Sequence, residues 1–292
     1  MNCKDAQNLI NGYVDGELDL VRNLEIEHHI QECALCAQGY TNHRVLRNEI
    51  KTGSTALRLA RDFAVVVLVA RNKEKLEKTA AEIRFVGAEA MVYAVDLREA
   101  QSAETIIKRT LERFGRIDAL LNIAGAVPQI DLFQMTDAQW DDGMALKLHG
   151  ARRLTIQAWD ALKASNGSVV LMSGSAALDP KPGSAAVATT NAAINALAKA
   201  FAEQGIKDGV QVNSVSPGAV MTGRRRSFFE KWAVAHNLTV EEAIETFPEE
   251  AGISRFGKPE EIADLLSYLV SAAAKWMTGA SLRMDGGEIK SI

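Results

Sequence analysis

The sequence predicts an α/β fold, a doubly wound parallel sheet preceded by a small helical segment. Three observations predict it. From Ala64 onward, strand and helix patterns alternate, as they do where helices cross over between parallel strands. Val65 to Val69 is an unbroken aliphatic run, which suits a strand covered on both faces. All three cysteines, Cys3, Cys33 and Cys36, lie at the N-terminal end, which marks that segment as a separate piece.

A chain of 292 residues that is 47% hydrophobic can bury one large core and carry an appendage. No tract reaches the roughly 18 apolar residues of a membrane span. The polar, acidic N-terminus lacks the apolar stretch of a signal peptide, so a cytoplasmic protein without a membrane partner is expected. The first 50 residues hold 4 Lys/Arg and 8 Asp/Glu, which accounts for the whole net charge of −4. The rest is balanced and shows no basic footprint, so nucleic acid is not an expected partner. Arg224-Arg-Arg226 reads as a solvated loop, with a phosphate site as its alternative.

In the N-terminal segment, residues 1–48, a short helix is expected over 4–16, ended by Asp15-Gly16. A second is expected from about Asp19 to Glu32, with Val21, Leu24 and Ile30 facing the first. His29 and Cys33 are four residues apart on one helical face, and Cys36 follows one turn later. Cys3, returned by the hairpin, completes a Cys₃His set of the kind that holds structural Zn²⁺. The alternative is a cysteine pair beside a core histidine, with no metal. Cys3, Tyr13-Val-Asp-Gly-Glu-Leu18 and His29-Ile-Gln-Glu-Cys33-Ala-Leu-Cys36 together resemble the zinc-binding anti-sigma domain over residues 1–45. That resemblance implies a sigma factor-like protein partner.

Further along, the expected elements are a helix over Lys73–Phe85, a strand over Ala90–Val95, a helix over Gln101–Phe114 and a strand over Ala119–Ile123. Val169-Val-Leu-Met-Ser173-Gly-Ser175, Val187-Ala-Thr-Thr-Asn191 and Gln211-Val-Asn213-Ser-Val-Ser-Pro217-Gly218 follow in order. With Asn122-Ile-Ala-Gly125, Arg255-Phe-Gly-Lys-Pro259 and Thr278-Gly-Ala-Ser-Leu-Arg-Met-Asp-Gly-Gly287, they resemble the short-chain dehydrogenase/reductase family over residues 52–292. The resemblance implies a Rossmann-like fold and hydride transfer between a nicotinamide and a carbonyl or alcohol.

On that frame, Thr52, Gly53 and Ser54 begin the pyrophosphate turn, and Asp96 and Leu97 reach the adenine. Asn122, Ala124 and Gly125 shape the cleft, and Pro217, Gly218 and Thr222 cover the nicotinamide. Ala70 replaces the acid that would bond the ribose of NAD, and Arg71 favours the 2′-phosphate of NADP.

Two departures qualify the expectation. The first strand and the glycine turn are truncated: Leu57-Arg58-Leu59 stands where two glycines belong, and Val45 to Lys51 is too polar for a central strand. Leu57 and Arg58 are expected to crowd the pyrophosphate seat and weaken NADP binding. In addition, the tyrosine and lysine positions hold Val187 and Asn191, the serine position falls on Gly174, and the asparagine position falls on Lys147. Proton transfer needs a titratable group at the substrate oxygen. Lys147, Ser173, Ser175 and Asn191 are the candidates for what chemistry survives, and His149 is read as structural.

Phe228, Phe229 and Trp232, within an expected lid over Thr222–Phe247, either line the substrate site or form the lid's own core. Ala192, Ala196 and Ala200 on a helix near Ala188–Glu203 suit close helix approach in a homo-oligomer. Three readings remain open. The chain is an atypical NADP(H)-linked oxidoreductase, a non-enzymatic zinc-binding regulator, or a fusion of truncated parts.

Overall fold

The structure, a computed structural model, describes residues 2–6, 9, 20–33, 36–37 and 53–291, which divide into two compact units, Met1–Gly53 and Ser54–Ile292. Thr52, the polar stretch 45–51 and most of the expected helix over 4–16 lie outside the described residues.

In the first unit, residues 3–6 are helical and α1 spans Leu20–Glu32. The inward face of α1 differs from the expectation. Ile26 is fully buried, whereas Val21 and Leu24 are 66% and 58% exposed. Ile26, His29 and Cys33 follow one another at spacings of three and four, so the buried face is the one that carries the ligand candidates. Val21 and Leu24 fall outside that face.

The second unit opens with α2 (Ser54–Leu59) and continues β1 (Val65–Ala70), α3 (Lys73–Phe85), β2 (Glu89–Ala94), α4 (Ala100–Phe114) and β3 (Ala119–Asn122). After a long loop come α5 (Asp137–Met144), a π-helical turn (Ala145–Gly150), α6 (Ala151–Ser165), β4 (Ser168–Met172), α7 (Ala185–Asp208) and β5 (Gln211–Pro217). A helical pair, α8 (Gly223–His236) and α9 (Val240–Glu250), precedes α10 (Pro259–Val270) and β6 (Ser281–Met284).

All strand pairs are parallel, but they form two sheets. β1 pairs β2, and β3-β4-β5-β6 make a second sheet in that order. Among the described residues no strand pairs with the other edge of β1 or of β3. The two sheets nonetheless share their cover. Val67 and Val69 of β1 and Leu120 of β3 pack into one cluster with Ile106 of α4, Leu154 of α6, Ile194 of α7 and Val169 of β4.

On the opposite face α2 does the joining. Leu57 and Ala60 pack with Val66 and Leu68, while Leu59 packs with Val170, Val215 and Leu266 of α10. β4 and β5 are buried almost end to end, whereas β1 and β3 stay half-exposed along much of their length. This pattern is what a parallel array lacking its first strand should give, because an interior strand needs a neighbour on each edge as well as cover on each face.

Helix ends follow their sequences. Asn72 caps α3 by accepting from Lys75 N–H at 2.9 Å, and Gly115 and Gly209 take the left-handed conformation that closes α4 and α7. Glu261 holds the start of α10: it accepts from Lys258 N–H at 2.7 Å and from Arg255 Nη2 at 2.6 Å. The Arg255 guanidinium first, and then the Lys258 amide, lower its carboxyl from 4.5 to about 2. A depressed acid contributes stability above its unfolded pKa and loses it as pH falls through the folded one. Melting temperature should therefore drop between about pH 4.5 and about 2. Thermal scans of Glu261→Gln should show a lower value at neutral pH and a shallower decline across that window.

Candidate functional site

In the first unit the ligand candidates converge. One donor atom each from Cys3, His29, Cys33 and Cys36 lies within 4.8 Å of the others. Cys3 Sγ and Cys33 Sγ are 3.7 Å apart. Two thiolates bound to one zinc at tetrahedral angles stand about 3.8 Å apart, given the usual Zn–S length. His29 Nε2 is buried and lacks a hydrogen-bond partner, as a ligand nitrogen would without its metal. Burial, and then hydrogen bonds with Cys33 and Cys3, push the Cys36 thiol up to about 11, so the metal-free cluster holds protons that binding would release. The set fits Zn²⁺.

In the second unit, Arg71, Asp96, Leu97, Asn122, Ala124, Gly125, Pro217 and Gly218 lie at or just beyond the carboxyl ends of parallel strands, where open α/β sheets bind ligands. Arg71 leaves β1 with its side chain 64% exposed, 3.9 Å from Asp96 Oδ2 beyond β2. The Arg98 backbone amide, at 3.0 Å, and then its guanidinium hold the Asp96 carboxyl below its ordinary range. Arg98 also forks onto Asp142 at 2.6 and 3.0 Å. Arg98 thus fixes the Asp96 carboxylate, and only the two-residue spacing Asp96-x-Arg98 hinted at it. Leu97 is buried.

Asn122 ends β3 and donates to Thr155 Oγ1 at 3.2 Å, and Ala124 and Gly125 follow in the loop. A Cβ on Gly125 would meet Lys147 Cδ at 3.1 Å, so that glycine leaves room for the lysine stem. Gly53 is in a turn and Ser54 starts α2. Leu57 and Arg58 are not placed as expected. Leu57 packs beneath β1, and Arg58 bonds Asp264 at 2.9 Å and Asp62 at 2.8 Å, so packing and ion pairing draw both into the helix layer.

Lys147 lies in the π-helical turn, a local widening that recurs at functional sites. Its Nζ donates to Asn191 Oδ1 at 2.5 Å and to Ser173 O at 2.9 Å. Ser173 is 5% exposed, and its hydroxyl donates to Asn191 O at 2.9 Å. A knot of three side chains thus ties the turn, the end of β4 and α7 together. A Cβ on Gly174 would stand 2.7 Å from Asn191 Nδ2, so a serine there would displace the amide. His149 has a buried, unpartnered Nδ1.

Ser175 is the serine whose hydroxyl faces away from this knot. It donates to Glu288 Oε2 at 3.3 Å. Glu288 is a site residue that the sequence reading missed. Its only signal was the turn-forming Asp285-Gly-Gly287 that delivers it.

Gly218, at the end of β5, is bonded to Met284 O at 3.1 Å, and Thr222 caps α8 by accepting from Arg225 N–H at 3.2 Å. The lid aromatics form their own core. Phe229 is fully buried, and its ring meets Phe228, Trp232, Phe247 and Phe256 edge-on.

The family model described as "Enoyl-(Acyl carrier protein) reductase" matches residues 53–288, and one described as "Putative zinc-finger" matches residues 3–37. The chain is 27% identical to a 3-oxoacyl-[acyl-carrier-protein] reductase of Thermotoga maritima, over 80% of this chain and 91% of the relative. It is 28% identical to the short-chain reductase protein NovJ of Streptomyces niveus, over 80% and 88%.

Among solved structures, an L-sorbose reductase of Gluconobacter frateurii in complex with NADPH and L-sorbose superposes with a TM-score of 0.78 at 25% identity, covering 82% of this chain and 92% of that one. An actinorhodin polyketide ketoreductase with NADPH gives 0.77 at 26%, with the same coverage. The chain belongs to the short-chain dehydrogenase/reductase family, with a zinc-finger segment at its N-terminus.

Lys147 of the π-helical turn and Asn191 of α7 are thus hydrogen-bonded through their side chains. Replacing Lys147 by Met strands the 2%-exposed Asn191 carboxamide and should cost about 1–3 kcal/mol. Urea denaturation of Lys147→Asn, Asn191→Lys and their double variant provides a cycle. The singles should be destabilised and the double should recover most of the loss.

Proposed function

We propose that this protein is an NADP(H)-linked oxidoreductase of atypical chemistry acting on a small carbonyl or alcohol, preceded in the chain by a segment with a structural zinc. The observation that carries the reading is the convergence of Arg71, Asp96, Asn122, Ser175 and Gly218 at successive strand ends. The donor set suits the group. A guanidinium meets a 2′-phosphate, a carboxylate meets the adenosine end, and a glycine-lined floor admits the nicotinamide side. When bound, the nicotinamide supplies or accepts the hydride.

The chain's own residues would do the rest. Lys147, Asn191 and Ser173 keep an ammonium and a carboxamide beside the ring and ribose. Arg71 selects the phosphate. Ser175 meets the substrate oxygen. Rates are expected to be low, because Val187 has no proton to exchange.

Two relatives with NADPH in their structures support the choice of cofactor. The exposed Ala192, Ala196 and Ala200 face of α7 is proposed to pair with a second copy.

Nicotinamide fluorescence gives the test. NADPH should bind in the micromolar range and more tightly than NADH, and Arg71→Ala should remove about 1.5–3 kcal/mol of the preference for NADPH. Absence of binding at millimolar cofactor would overturn the enzyme reading.

A second reading rests on the first unit. With zinc bound, the exposed Val21 and Leu24 would present an apolar strip to a sigma factor-like partner while the large unit serves as scaffold. NADPH oxidation with a panel of ketones and aldehydes separates the two, since this reading allows none. Under either, the four donors should hold about one zinc per chain. Elemental analysis of protein purified without zinc or nickel checks this, and chelation or thiol oxidation should release the metal.

A further inference from the structure

The loss of the tyrosine leaves the site without its family's proton-exchanging group, and the last turn of the chain supplies a different one. Glu288 is delivered by a built turn. Asp285 accepts from Gly287 N–H and Ile289 N–H, both at 3.0 Å, and Glu288 N–H bonds Asp285 O at 3.1 Å. Gly286 and Gly287 have φ of +64° and +82°, the left-handed region that lets the chain reverse there.

Both flanks are anchored. Ile289 is 8% exposed in the core, and Lys290 donates to Gly252 O at 2.8 Å. The turn presses the carboxylate against β5 so closely that a Cβ on Gly218 would stand 2.6 Å from Glu288 Oε2. Its partner is the Ser175 hydroxyl, one residue beyond the Gly174 that abuts Asn191. The hydroxyl of Ser173 is already spent on Asn191 O, and the Lys147 ammonium is held by Asn191 Oδ1 and Ser173 O.

We propose that Ser175 and Glu288 form the proton relay of this site, with Ser175 touching the substrate oxygen and Glu288 acting through it. This rests on the oxidoreductase reading above. In alcohol oxidation the substrate C–H bond breaks and its hydride passes to the oxidised nicotinamide. The substrate O–H proton passes to Ser175 Oγ, and the Ser175 proton passes to the Glu288 carboxylate. The carbon–oxygen bond becomes a carbonyl, and Glu288 returns its proton to solvent. Reduction runs the same path backward, with the hydride coming from the reduced nicotinamide. Glu288 is a positioning and proton-storing residue, and Ser175 is the catalytic one.

The test uses the full-length, zinc-loaded chain and the variants Glu288→Gln, Glu288→Ala and Ser175→Ala, each checked by thermal melting. In the cofactor-free protein, the infrared carboxylate band that disappears in Glu288→Gln should shift in Ser175→Ala, which reports the hydrogen bond without any turnover. NADPH affinity by fluorescence should stay within threefold of wild type in all three variants. With a ketone and alcohol panel, Glu288→Gln and Ser175→Ala should lose about 10²-fold or more in kcat, with KM little changed. Added formate should restore turnover to Glu288→Ala but not to Ser175→Ala.

If NADPH does not bind to the wild type, the oxidoreductase reading falls, and the relay with it. If the wild type binds NADPH but turns over nothing on the panel, the oxidoreductase reading falls as well; if the wild type turns over and Glu288→Gln does so normally, the relay alone is overturned. An unshifted infrared band would also overturn it.

Discussion

Aliphatic strands that run parallel must be covered on both faces, and that constraint organises everything in the second unit. The run Val65–Ala70 has too much apolar surface to lie in water, so the cluster that includes α4 covers one side, and α2 and α3 cover the other. The six residues of α2 have an outsized part in this. Leu57 and the following Ala60 hold the smaller sheet, and Leu59 holds the larger one, so one short turn of helix stands where the fold would otherwise be joined by a strand. The candidate site depends on this joint, because Arg71 follows a strand of one sheet, while Asn122, Ser173 and Gly218 lie at strand ends of the other.

Lys147 in the π-helical turn and Asn191 of α7 are joined by a hydrogen bond, so an ammonium and a carboxamide share one place in the second unit. Gly174 leaves the room that the Asn191 amide occupies, and the next residue, Ser175, donates its hydroxyl to Glu288. Positions that look independent along the chain are coupled by these contacts, because a buried carboxamide without a partner costs free energy.

How much of this was legible in the sequence depended on the distance along the chain over which each feature is decided. The helix Lys73–Phe85 was readable to the residue, because its cap Asn72 and its apolar spacing are local. The Cys₃His cluster was readable because three of its four members sit on one helical register. The inward face of α1 was misread at Val21 and Leu24, since periodicity alone does not say which of two apolar stripes is turned inward. The crowding expected of Leu57 and Arg58 ignored Asp264, some 200 residues away, which draws Arg58 aside. Glu288 was invisible for the same reason: its contact with Ser175 spans 113 positions and follows no motif. The unpaired edges of β1 and β3 were foreshadowed by the truncated glycine turn, but the use of α2 as a substitute joint required the packing itself.

The split sheet also bears on how the molecule comes apart. A two-stranded ribbon is marginal by itself, and β1-β2 keeps its place through side-chain packing with α2, α3 and the shared core. The four-stranded sheet has a continuous ladder of backbone bonds to resist opening. Cooperativity is therefore unequal across the second unit, and its N-terminal third forms the weaker foldon. Arg71 and Asp96 are carried by that foldon, so their end of the candidate site is drawn from the part that opens first. A ligand that bridges both sheets would close the difference by linkage, firming the ribbon by the free energy of its own binding.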